Sequence, residues 1–189
     1  MALTPSNMLA LGTVAPDFAL PDTQGNTVTL ADFQDSPALV VAFICNHCPF
    51  VKHIRSQIAV LADDYLSKGV AFVAISANDI EAFPDDNMEH MQKEAEDAGY
   101  HFPYLLDESQ AIAKAYDAAC TPDFYLFGHE STLVYRGQLD PSRPGNDIPV
   151  SGEDLRAALD KVLAGETVPE EQTPSVGCNI KWKPGNEPD

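Results

Sequence analysis

The chain has 189 residues, enough for one domain with a sizeable core, and its 44% hydrophobic and 8% aromatic content is that of an ordinary soluble globular protein. A formal charge of −18 leaves no basic face for a phosphate backbone or an anionic bilayer, which argues against nucleic-acid and membrane partners. Residues 1–9 lack a basic n-region and a long apolar core, and the longest apolar run, residues 38–45, is too short to span a bilayer, so a cytoplasmic location is expected.

Residues 17–20 and 27–30 read as two short strands about the turn 21–26, an N-terminal β-hairpin. Residues 38–44 form a near-continuous apolar run, as expected of a central strand covered on both faces. Past the Cys45-Asn46-His47-Cys48-Pro49 junction, Val51, Ile54, Ile58, Leu61 and Tyr65 recur with helical spacing until Gly69. Residues 70–76 make a second buried strand, and 86–98 a charged surface helix ending before Gly99. Asp107 and Gln110 resemble a capping box for a helix carrying Ile112, Ala115 and Tyr116. Residues 122–127 and 132–136 form a hairpin about 128–130, and Ser151 with Asp154 caps a last helix whose Leu155, Ala158, Leu159, Val162 and Leu163 make one stripe ending at Gly165. Alternating strands and helices make an α/β domain over residues 1–165. Residues 166–189 are acidic and Pro-rich, yet Val176, Cys178, Ile180 and Trp182 alternate with polar or small residues, so the tail is expected to dock and to hold Cys178 against protein.

Four cysteines are too few for a secreted disulfide scaffold, and the Cys45-x-x-Cys48 spacing points to redox or metal chemistry. Pro49 fits a first helical position, which puts Cys48 at or next to the N-cap, where unpaired N–H groups and the positive dipole end favour a thiolate. His47, Lys52, His53 and Arg55 add the only dense basic cluster, and no Lys or Arg precedes Lys52. Bringing a thiol from ~8.5 to near 7 takes only about 2 kcal/mol. Cys45, three residues back across a tight turn, is within disulfide range of Cys48 and is the first candidate for its partner. Cys45 and Cys48 with His47 or His53 also offer zinc-ligand types, but without a second clustered cysteine pair no metal site is expected. His90, His101 and His129 read as surface residues without partners, and Arg143, on the rigid loop 141–146, is a candidate to reach the site.

Residues 12–18, 25–28, the strand into Cys48, and Thr121-Pro122-Asp123-Phe124-Tyr125-Leu126-Phe127 followed by 133–137 resemble the thioredoxin superfamily over residues 12–164, in its redoxin branch of alkyl hydroperoxide reductase/thiol-specific antioxidant proteins. The Cys45–Phe50 stretch and residues 174–182 are similar to a peroxiredoxin-like thioredoxin subgroup. The resemblance implies a thioredoxin-like fold, with a central mixed sheet flanked by helices, and a thiol-disulfide oxidoreductase with Cys48 as attacking thiolate and no bound cofactor. It implies a protein or small-molecule disulfide or peroxide as substrate, a cellular thiol as reductant, and a cis-proline loop at Thr121-Pro122 facing Cys48 across an open groove. Cys120 beside that loop and Cys178 on the tail are candidate resolving thiols. The chain departs from both family motifs. Val51 takes the place of the second thioredoxin cysteine, while Val41 and Cys45 stand where peroxiredoxins have Pro and Thr. Thiol-dependent peroxidase activity is therefore the alternative, and a non-enzymatic thiol- or metal-binding or redox-sensing module a further one.

Overall fold

A computed structural model describes residues 3–188. Strand β1 (Leu3–Pro5) is followed by the hairpin β2 (Ala19–Pro21) and β3 (Thr27–Thr29), whose turn is tied by Asp22 Oδ1 accepting the N–H of Gln24 and Asn26. The chain then runs through β4 (Leu39–Phe43), α1 (Pro49–Leu66), β5 (Ala71–Ser76), α2 (Met88–Ala98), β6 (Tyr104–Leu106), α3 (Ala111–Ala115), β7 (Cys120–Thr121), β8 (Asp123–Phe127), β9 (Leu133–Gly137), α4 (Glu153–Leu163) and β10 (Val176–Asn179).

The main sheet has the order β6-β5-β4-β8-β9, with β4, β5 and β6 parallel and β8 and β9 antiparallel. All of β4 is buried, as its unbroken apolar run requires. Val40 and Ala42 face one core with Ile54, Ile58 and Leu61 of α1 and Leu155 and Leu159 of α4. Val41 and Phe43 face the other, where the rings of Phe43, Tyr116 and Tyr125 meet at 5.6–5.8 Å. Helices thus cover both faces of a mixed sheet, the thioredoxin-like arrangement that the sequence implies.

Helix ends differ from the sequence expectations because side chains take unforeseen partners. Helix α2 begins at Met88, since the Asn87 side chain accepts from His90 N and residues 84–86 form a separate 3-10 turn. Asp107 Oδ2 accepts from Ala113 N, while Gln110 adopts a left-handed φ of 63° and sends its amide to the tail instead of closing a capping box. Helix α4 is capped at Gly152 by the carboxylate of Asp140, and Asp154 turns away to Gln138. Strand β6, three residues between Phe102-Pro103 and Asp107, is too short to show a period and is absent from the sequence reading.

The tail docks as its alternation suggests. Strand β10 lies antiparallel between β1 and β7, pairing Cys178 with Leu3 on one side and with Thr121 on the other. The expected single stripe splits where β10 ends at Asn179: Cys178 packs in the α1 core, and Ile180 and Trp182 in the opposite one.

Candidate active site

The site is built at the C-terminal end of β4. Cys48 is the N-cap of α1 in an extended conformation (φ −66°, ψ 122°), Pro49 follows at the first helical position, and the Cys48 carbonyl accepts from Lys52 N at 2.9 Å. The turn before it is clamped by Asp86, a fully buried carboxylate. Its Oδ1 accepts from Asn46 N (2.8 Å) and His47 N (3.2 Å), and its Oδ2 from Asn78 Nδ2 (2.8 Å) and from His47 Nδ1 (2.5 Å). Tyr104 OH donates to Asn46 Oδ1, and the His47 ring stacks on Phe83. Four donors on one carboxylate fix the backbone that aims Cys48.

Cys48 Sγ lies 3.1 Å from Cys178 Sγ and 3.2 Å from the carbonyl oxygen of Thr121, and Cys45 Sγ lies 3.5 Å from Thr121 Oγ1. The Thr121–Pro122 peptide is cis, as the resemblance implies. Among the described residues no disulfide is present, and Cys45, Cys48 and Cys178 are each at most 2% exposed. The hydrogen bond from Cys45 is the main cause that lowers the Cys48 thiol to about 5; burial opposes it, and hydrogen bonds from Cys178, Thr121 and the Val51 N–H add to the lowering. Cys45 is pushed well up by donating to Cys48, by burial and by the charge of Asp86. Cys178 is pushed up to about 12 by burial, by its hydrogen bond to Cys48 and by the Cys48 charge. Cys120 is raised by burial and by Asp123, and its sulfur faces Pro122 O at 3.8 Å.

The structure therefore brings together Cys48, Cys45, Cys178, Thr121 and Pro122, and leaves Cys120 beside them. The basic cluster does not converge on the thiols. His47 is turned to Asp86, Arg55 to Glu94, and His53 to Ser142 Oγ at 2.7 Å, while Lys52 is exposed to solvent. Arg143 holds its own loop through Asp140 O, Ser142 O and Gln138 Oε1. His101 and His90 have partners after all, in Asp63 and Asn87. Cys45, His47 and Asp86 bring one ligand atom each within 4.8 Å of one another, but a cation there would have to break the hydrogen bonds that already saturate Asp86. The open groove expected beside the cis-proline is also absent, because β10 fills it. Asp86, Asn46 and Asn78 escaped the sequence reading. So did Asp123, fully buried next to Pro122, whose carboxyl burial pushes up to about 8 against the hydrogen bond from Tyr125 OH.

The sequence profile of the AhpC/TSA family matches residues 11–136, from the segment before the hairpin into β9. The chain belongs to the AhpC/TSA family. An uncharacterized conserved protein from Geobacillus kaustophilus is 59% identical over 97% of this chain and 98% of its own, with a TM-score of 0.95. The thiol-disulfide oxidoreductase ResA of Bacillus subtilis is 26% identical over 123 residues, which are 65% of this chain and 64% of that protein's length. The thioredoxin domain of a thiol-disulfide oxidoreductase from Bacteroides vulgatus, 22% identical, shares the fold at a TM-score of 0.63 over 82% of this chain and 99% of its own.

Proposed function

We propose that this AhpC/TSA protein is a thiol-disulfide oxidoreductase in which Cys48 attacks and Cys178 resolves. The observation that carries the reading is the 3.1 Å approach of the two sulfurs at the start of α1. The Cys48 thiolate attacks one sulfur of a substrate disulfide, forming a mixed disulfide and expelling the first thiolate. Cys178 then loses its proton and attacks Cys48 Sγ, forming the Cys48–Cys178 disulfide and expelling the second thiolate, so two electrons pass to the substrate. A cellular thiol reverses the change in the protein, which suits a reducing compartment such as the cytoplasm.

Cys178 is favoured over Cys45 as the resolving thiol by geometry, since its sulfur lies 3.1 Å from Cys48 Sγ while Cys45 Sγ lies 3.5 Å from Thr121 Oγ1. After burial, the causes that hold Cys178 protonated are its hydrogen bond to Cys48 and the Cys48 charge, and both vanish when Cys48 enters a mixed disulfide. The same release acts on Cys45, raised most by its own hydrogen bond to Cys48, but burial and the charge of Asp86 still hold that thiol up. The name of the ResA relatives points to the same reaction class.

The test uses hydroxyethyl disulfide with the reduced protein. Cys48→Ser should lose at least about a hundredfold in rate, since a hydroxyl replaces the thiolate nucleophile. Cys178→Ser should stop at a mixed disulfide on Cys48, visible as an added half-substrate mass. An active Cys48→Ser protein, or no adduct on Cys178→Ser, overturns the assignment.

Burial of Cys48 favours a second reading with a small peroxide as oxidant. Cys48 would attack a peroxide oxygen to give a sulfenic acid and release water or an alcohol, and Cys178 would condense with it, releasing water. Cys45 replaces the hydroxyl that would hold the peroxide, a loss on the order of 2 kcal/mol, or about thirtyfold in rate. Peroxide consumption should therefore be slow and should rise in Cys45→Thr; a wild-type protein that consumes peroxide faster than it reduces disulfides would reverse the order of the two readings.

A further inference from the structure

We propose that β10 restricts this site to low-molecular-weight disulfides, because it permanently holds the sheet edge that an extended polypeptide would need; the inference rests on the oxidoreductase reading above. A protein disulfide presented in an extended segment is recognised by adding a strand to an open edge, with main-chain hydrogen bonds supplying the affinity. Beside Cys48 that edge is β7, and its partners are already Cys178 opposite Thr121 and Asn179 opposite Cys120. The outer edge of β10 is closed in turn by β1, from Leu3 to Pro5.

The strand is fixed at both ends. On one side, Ser6 N donates to Ser175 O (2.9 Å), Ser175 N to Ser6 Oγ (3.0 Å), and Ser175 Oγ to Gly137 O (2.7 Å). On the other, Asp79 N donates to Lys181 O (2.7 Å) and Lys181 N to Asn78 Oδ1 (2.8 Å), while the buried Gln110 amide donates to Lys181 O (3.0 Å). Between these anchors Gly177 lies backbone to backbone on the cis-proline loop, where a Cβ would come within 2.0 Å of Thr121 O. A polypeptide must break these bonds on both sides of β10 before it can reach Cys48.

A small reactant needs far less. A cavity of about 10 Å³, room for roughly one water, already lies between Phe50, Pro122, Ser175 and Val176. The cavity stops short of the fully buried Cys48, but Phe50 and Val176, each two residues from a site cysteine, are half-buried, and side-chain rotation there would open the way without moving a strand.

The experiment follows single turnovers of the reduced wild-type protein with hydroxyethyl disulfide and with insulin. Each rate is divided by that of dithiothreitol on the same substrate, which removes intrinsic reactivity. The expected result is a normalised rate for hydroxyethyl disulfide at least about tenfold above that for insulin. A smaller difference overturns the restriction while leaving the oxidoreductase reading standing. Failure to reduce either substrate above the Cys48→Ser background overturns the oxidoreductase reading, and this inference with it.

Discussion

Cys48 and Cys178 stand 130 positions apart in the chain and bring their sulfurs to 3.1 Å. A disulfide needs a further approach of only about 1 Å, within reach of side-chain rotation. Mild oxidation should therefore join Cys48 to Cys178, and peptide mapping of the oxidised protein should recover that pair. A map dominated by Cys45–Cys48 would return the resolving role to Cys45.

Cys45 supplies the main hydrogen bond that holds the Cys48 thiolate, so Cys45→Ala should move the Cys48 titration upward from about 5. A hydrogen bond to a charged group is worth about 1.5–3 kcal/mol, or about one to two pKa units at 1.36 kcal/mol each. Thiolate absorbance at 240 nm against pH reads the change. The sign for stability follows from linkage: the folded Cys48 pKa lies below the unfolded one, so the stabilisation is complete above ~8.5 and is lost as pH falls through about 5. Unchanged titration in Cys45→Ala would mean that another donor holds the thiolate.

Gly177→Ala sets a methyl group against the Thr121 carbonyl, at a separation no backbone tolerates. Strand β10 must lift from β7, at a cost of about 1–3 kcal/mol. Urea unfolding should show that loss, and closure of the Cys48–Cys178 disulfide should slow with it. Wild-type stability together with wild-type closure would show that β10 is not held against Thr121.

Asp123 carries a carboxyl that burial raises to about 8 from an ordinary 3.8. Between these values the unfolded chain releases a proton that the folded protein keeps, so stability falls as pH rises from about 4 to about 8 and is level above. Asp123→Asn removes the ionisation and should be the more stable protein at pH 9, by up to several kcal/mol, with little difference near pH 4. Urea midpoints at the two pH values decide it; parallel curves for variant and wild type would place the Asp123 carboxyl in its ordinary range.

What was legible in the sequence was local. The strand, the N-cap Cys48 and Pro49 are neighbours in the chain, and their roles follow from helix geometry alone. Thr121 and Pro122 were legible through a family motif, and the docking of the tail through a period of two. The partners of these groups were not, because they come from far away: Asp86 takes His47, Glu94 takes Arg55 and Ser142 takes His53, so a basic cluster that reads as help for the thiolate is drawn off to other partners. The period of two said that residues 176–182 would dock, but only the register of β10 against Thr121 sets Cys178 beside Cys48. The same register closes the groove that the cis-proline motif alone suggests is open.

The pairing of Leu3 with Cys178 also gives the site an order of assembly. Contacts between segments so distant close a loop of nearly the whole chain and form late in folding. During translation at about 5–20 residues per second, the 130 positions from Cys48 to Cys178 take roughly 7–26 s to make. For that interval the nascent chain has its nucleophile and Cys45 but not Cys178. Under the proposed resolving role of Cys178, full turnover of a disulfide requires this late contact and so doubles as a readout of completed folding.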